Sequence, residues 1–96
     1  MVMAGGIGVV SPVPTFKVPV AMTSEAKALH IAGRVRLTVV VQRDGTVRRV
    51  SVSKSLHPVL DQLAVDAVQK WLFKPGTRNG ELANVIIGVE IEFKKQ

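Results

Sequence analysis

Apolar residues recur along this chain with two different periods, and the two periods follow one another in blocks. Val35, Leu37, Val39 and Val41 alternate with Arg34, Arg36, Thr38 and Gln42. A period of two predicts a strand with one buried face and one mostly wet face. Asp44-Gly45 then predicts a two-residue hairpin turn into a second strand. If Arg43 pairs with Thr46, Val39 faces Val50, Leu37 faces Val52 and Thr38 faces Ser51. On the same register Arg36 faces Ser53, and Val41 faces Arg48 near the turn. Apolar meets apolar and polar meets polar in these pairs except at Val41, as a one-sided sheet requires.

After the hairpin the period changes. Leu60, Leu63, Ala64, Ala67, Val68 and Trp71 fall at helical spacing and form a continuous apolar stripe. Pro58 suits the first helical position, with Ser55 or His57 available to cap it. Asp61 lies early in the helix, and Pro75-Gly76 ends the segment. Asn79-Gly80 marks a turn. A third strand follows, with Ala83, Val85, Ile87, Val89, Ile91 and Phe93 on one face. Asn84, Ile86, Gly88, Glu90 and Glu92 take the other. Lys94, Lys95 and Gln96 form a polar tail.

Upstream of the first strand, Glu25 to Leu29 read as a short helix. Thr23 or Ser24 caps it, and Gly33 is placed to stop it. Residues 1–14 are rich in glycine and proline and read as a flexible linker or the remnant of a longer chain, leaving residues 15–96 as the domain. The predicted fold is α+β: a three-stranded antiparallel sheet, packed by one long helix, with a short N-terminal helix. A right-handed crossover from the second strand gives the order 2-1-3. The third strand then becomes an open edge.

Composition narrows the chemistry. The chain has 96 residues, room for one domain. It has no cysteine, which excludes disulfides, thiolate metal sites and a cysteine nucleophile. His30 and His57 lack ligand-like spacing, so neither a metal nor a cofactor is expected. Ser55, His57 and Asp61 are the one nearby serine, histidine and carboxylate set. They crowd a helix start, where capping explains them better than catalysis. Gly5-Gly6-Ile7-Gly8 follows no predicted strand and precedes no helix, so it is not a phosphate loop. Glu90 and Glu92 share a strand face as solubilising groups. The reading is therefore a binding module and not an enzyme.

The formal net charge of +6 favours anionic partners. Arg34, Arg36 and Arg49 should lie on the wet sheet face, with Arg48 and Lys54 nearby. That face has no aromatic residue to stack a base, so nucleic acid is not the expected partner. A basic nucleic-acid-binding module remains the alternative to strand addition at the open edge, together with a strand-exchanged homodimer.

Taken in order, these motifs are similar to those of TonB C-terminal domains. Glu25 to Gly33 followed by Arg34-Val35 resembles the family's entry from helix to strand. Asp44-Gly45-Thr46-Val47 resembles its hairpin. Leu60-Asp61, Ala64 and Ala67-Val68, with Lys70 to Pro75, resemble its second helix and Trp-x-Phe-x-Pro exit. The likeness runs from Pro12 to Phe93. One motif departs: a Pro-x-Tyr-Pro stretch of the family falls here at Val20, Met22 and Thr23.

The resemblance implies the periplasmic domain of an energy transducer anchored in the inner membrane. Its partner would be the TonB box, a short extended segment of an outer-membrane transporter. Proton-driven inner-membrane motor proteins would act through the N-terminal part of the parent protein. Carried onto this sequence, the gripping edge is Val85, Ile86, Ile87, Gly88, Val89, Glu90 and Ile91.

Overall fold

The computed structural model of the chain describes residues 1–94; Lys95 and Gln96 of the expected polar tail lie outside the described residues. In chain order the elements are β1 (Val2–Met3), β2 (Val9–Val10), β3 (Val13–Phe16), α1 (Ser24–Ala28), β4 (Gly33–Val41) and β5 (Val47–Lys54). There follow α2 (Pro58–Val68), β6 (Leu72–Lys74), β7 (Thr77–Arg78), β8 (Glu81–Leu82) and β9 (Val85–Phe93).

The main sheet has four strands, not three, in the order β1-β9-β4-β5. β9 lies antiparallel to β4 along its whole length, from Gly33 opposite Phe93 to Val41 opposite Val85. The added strand is β1, which runs parallel to β9 with Val2 beside Val85 and Met3 beside Ile86. Residues 1–14, read from sequence as linker, thus contribute backbone pairing here. β2 pairs with β7, and β3 with β6.

The hairpin register follows the expected pairs at Val39–Val50, Leu37–Val52 and Thr38–Ser51, and departs at both ends. Val41 faces Val47 instead of Arg48, and Arg36 faces Lys54 instead of Ser53. The turn causes the first departure. Gly45 N–H donates to Gln42 O at 2.9 Å, and Gln42 N–H donates to Thr46 O at 2.8 Å. The loop is therefore three residues long, Arg43-Asp44-Gly45. Gly45 sits at φ +87°, the left-handed residue such loops need. This shift puts apolar Val47, not Arg48, against the buried Val41. A bulge between Val40 and Val41 then restores the expected register. A second irregularity lies between Arg36 and Leu37.

One sheet face carries the core. Val35, Leu37, Val39 and Val41 pack beneath Leu60, Ala64 and Val68 of α2, with Trp71, Phe73 and Phe93 in the same cluster. The helical stripe accounts for this cover, except that Trp71 lies past the end of α2. α1 is shorter than the sequence implied. Thr23 Oγ1 accepts from Ala26 N–H at 3.1 Å, and the helix closes at the Leu29 cap. His30 follows at φ +51°, so the chain turns there and Gly33 begins β4 instead of stopping the helix.

Candidate partner-binding edge

The alternation of an extended strand decides which groups β9 offers. Val2 N–H donates to Asn84 O at 2.9 Å, and Ala4 N–H donates to Ile86 O at 2.9 Å. The carbonyls of Asn84 and Ile86 therefore point away from β4. In an extended strand a residue's N–H and C=O share one side, and the side alternates from residue to residue. Gly88, Glu90 and Glu92 thus direct their backbone groups outward. Val85, Ile87, Val89 and Ile91 direct theirs into the ladder with β4.

This separates the seven edge residues named from sequence. Val85 is fully buried and Ile86 half-buried, and β1 covers the edge beside both. Beyond Ile86 no strand pairs with the outer edge of β9 among the described residues.

Alongside this open stretch runs a groove of about 410 Å³. One bank is Ile87 to Glu90; the other is Pro12, Pro14 and Lys17; Trp71 and Phe73, both buried, lie beneath. Trp71 reached this place because α2 ends at Val68, three residues before it. Its indole N–H donates to Val18 O at 2.9 Å. The Lys17 ammonium sits 5.5 Å from the Trp71 ring centroid, within cation–π range. Phe73 packs 6.2 Å away, tilted by 39°. Phe73 is also fixed through its backbone, since its N–H donates to Gly45 O at 2.8 Å. Trp71 is core, as the helical stripe implied, while the sequence reading missed Pro12 and Pro14 as a wall. The extended Pro-Val-Pro unit opposite an open edge was the available signal.

The far end of the open edge is ionic. Arg36 Nε lies 3.1 Å from Glu90 Oε2, and Arg34 lies 3.4 Å from both Glu90 and Glu92. Arg36 is directly opposite Glu90, and Arg34 directly opposite Glu92. These pairs are exposed and contribute at most about 1 kcal/mol each. Their larger effect is on potential. Two of the basic residues on the wet face are matched by carboxylates, which makes that surface mixed in sign. Glu90 and Glu92 act as ion-pair partners as well as solubilising groups.

Ser55, His57 and Asp61 come together as a helix cap. His57 Nδ1 accepts from Val59 N–H at 3.1 Å. Asp61 Oδ1 accepts from Leu56 N–H at 2.9 Å and from His57 N–H at 3.2 Å, while the Ser55 hydroxyl donates to Asp61 Oδ2. Partial burial pushes the Asp61 carboxyl up. The hydrogen bonds from Ser55, Leu56 and His57 together with the nearby imidazole outweigh it and hold the group below its ordinary range. No group of three or more metal-ligating side chains occurs among the described residues.

Residues 23–94 match the family model described as the Gram-negative bacterial TonB protein C-terminal. The chain belongs to this family. It is 41% identical over 64 residues to Protein TonB of Xanthomonas campestris pv. campestris, in strains B100 and ATCC 33913. That match covers 66% of this chain and 29% of each relative, so the chain spans under a third of their length. The fold is similar to the solution NMR structure of the Pseudomonas aeruginosa TonB C-terminal domain. The TM-score is 0.66 at 23% identity, covering 98% of this chain and 93% of that one. The TonB family model begins at Thr23, the N-cap of α1. β1, β2 and β3 lie upstream of the family-model match, as do Pro12, Pro14 and Lys17, which form one bank of the groove.

Proposed function

We propose that this TonB C-terminal domain captures the TonB box of an outer-membrane transporter by adding it as a strand to β9. The observation that supports this is the open edge of β9 bordered by the aromatic groove. Gly88, Glu90 and Glu92 present backbone donors and acceptors in a row, at the spacing a second strand needs. Main-chain bonds would supply affinity with little demand on side-chain identity, and alternate side chains of the captured segment would enter the groove beside Trp71 and Phe73. In this reading the domain works in the periplasm as part of an inner-membrane-anchored energy transducer. It passes force from a proton-driven motor to the transporter and performs no chemistry of its own.

Amide-shift titration of the labelled domain with a TonB-box peptide, beside a scrambled control, tests this directly. The expected result is selective movement of Ile87 to Glu92 and of the Trp71 indole. A folded domain showing no shifts at millimolar peptide would refute capture by strand addition. Against the nucleic-acid alternative, Arg34 and Arg36 lie beside Glu90 and Glu92, which makes that face mixed in sign.

A further inference from the structure

The edge that would receive a partner already holds a strand of the chain itself. β1 lies on the same side of β9 and ends where the groove begins: Ala4, whose N–H bonds Ile86 O, also lines the groove. A strand that fills the groove and continues towards Val85 therefore meets β1.

Several features make β1 easy to displace. Its ladder is two residues long. Met1 and Met3 remain 67% and 65% exposed, so its release uncovers little apolar surface. Behind it lies Gly5-Gly6-Ile7-Gly8, the run that sequence left without a role. Gly5 and Gly8 sit at φ +83° and +75°, conformations that glycine adopts freely. Ile7 is fully exposed. Past this run the chain is held again, with Asn79 N–H donating to Gly8 O at 2.8 Å and β2 paired to β7. Released from β9, the strap stays tethered within a few residues of its site. A tethered strand competes at high effective concentration.

We infer that residues Met1–Ala4 are a built-in competitor for the β9 edge, occupying Val85 and Ile86 until a partner strand displaces them. The inference rests on strand addition at β9 and adds a regulator to that site. It divides the edge in two. Gly88 to Glu92 form an open landing window, and Val85–Ile86 become available only when the strap leaves.

Two variants test it, each titrated with the same TonB-box peptide by calorimetry and amide shifts. Val2→Pro with Ala4→Pro removes both strap donors to Asn84 O and Ile86 O. At roughly 1 kcal/mol for each of the two backbone hydrogen bonds, peptide binding should tighten about thirtyfold. Met3→Cys with Ile86→Cys joins adjacent positions of neighbouring strands, a separation a disulfide spans. The chain has no other cysteine, so only this bridge forms. Oxidised, this variant should bind about thirtyfold more weakly than the same protein reduced, since the two positions the strap holds stay closed to the peptide. In the wild-type complex, shifts should extend to Val85 and Ile86 as the strap resonances move. Equal affinities in wild type, proline variant and both redox states would overturn competition and leave strand addition standing. Absence of binding to every form would overturn strand addition, and the competitor with it.

Discussion

The indole N–H of Trp71 donates to the carbonyl oxygen of Val18 across 2.9 Å. This bond joins the N-terminal arm to the segment that leaves α2, so the bank that holds Pro14 and Lys17 is anchored to Trp71. Trp71→Phe keeps most of the ring volume and removes the donor. The expected loss is about 1–2 kcal/mol in urea unfolding, because Val18 O is left without this partner. Peptide affinity should fall with it, since Lys17 and Pro14 lose their anchor. An unchanged unfolding midpoint would show the bond to be energetically idle.

Proline distinguishes the two sides of β9. At Gly88 the N–H points outward and a Cβ would meet nothing within 4 Å, so Gly88→Pro should fold. It should nevertheless abolish most strand addition. At Val89 the N–H serves the ladder with β4, and Val89→Pro should destabilise the domain by about 3 kcal/mol or more. Circular dichroism melts and peptide titration read the two effects separately. The strand's alternation therefore places the binding test at Gly88 or Glu90 and not at Ile87 or Val89.

Gly45 is the least replaceable turn residue. It sits at φ +87°, and a Cβ there would lie 2.1 Å from Phe73 O. Gly45→Ala should cost more than the roughly 1–2 kcal/mol of a left-handed alanine, because β6 must also move. Thermal melts would show it, and the Phe73 signals should shift in the same variant.

The Asp61 carboxyl gives the fold an acid dependence. Its native value lies below the ordinary 3.8, so the stabilisation is present above that pH and disappears as pH falls through the lowered native value. Asp61→Asn should lose about 1 kcal/mol at neutral pH, the usual size of a capping interaction. Its unfolding free energy should also change less than that of wild type between pH 5 and pH 2. Parallel curves for the two proteins would assign the acid sensitivity elsewhere.

Leu60 tests the core. It is 1% exposed between α2 and the sheet. Leu60→Ala should cost roughly 2–5 kcal/mol by guanidinium unfolding. Arg36→Ala, on the exposed face, should cost under about 1 kcal/mol.

The central hairpin, α2 and β9 were legible because their apolar positions repeat at a fixed period over eight or more residues. The ends of the hairpin were less so. Asp44-Gly45 looks the same in a two-residue and a three-residue loop, and the choice was made by Val47 reaching Val41. The N-terminal strands were invisible for a different reason. β1 and β2 have two residues each, too few for any period, and β3 contains Pro14. Their pairing depends on partners more than 50 residues away. For the site, the edge was legible from strand order, and the groove was not. Its second bank is built from Pro12 and Pro14, whose composition alone reads as linker.

The nine-residue ladder between β9 and β4 has a mechanical consequence. A captured strand pulled along its own axis loads all of its hydrogen bonds at once, in shear. Over those nine pairs the alternate residues Val85, Ile87, Val89, Ile91 and Phe93 bond to β4, five against the three outward residues of the open window, Gly88, Glu90 and Glu92. If β9 captures a strand as proposed, that joint would be weaker than the seam behind it. Under rising tension the captured strand would let go first and the sheet would survive to grip again, a reusable clutch with its slip point at the partner.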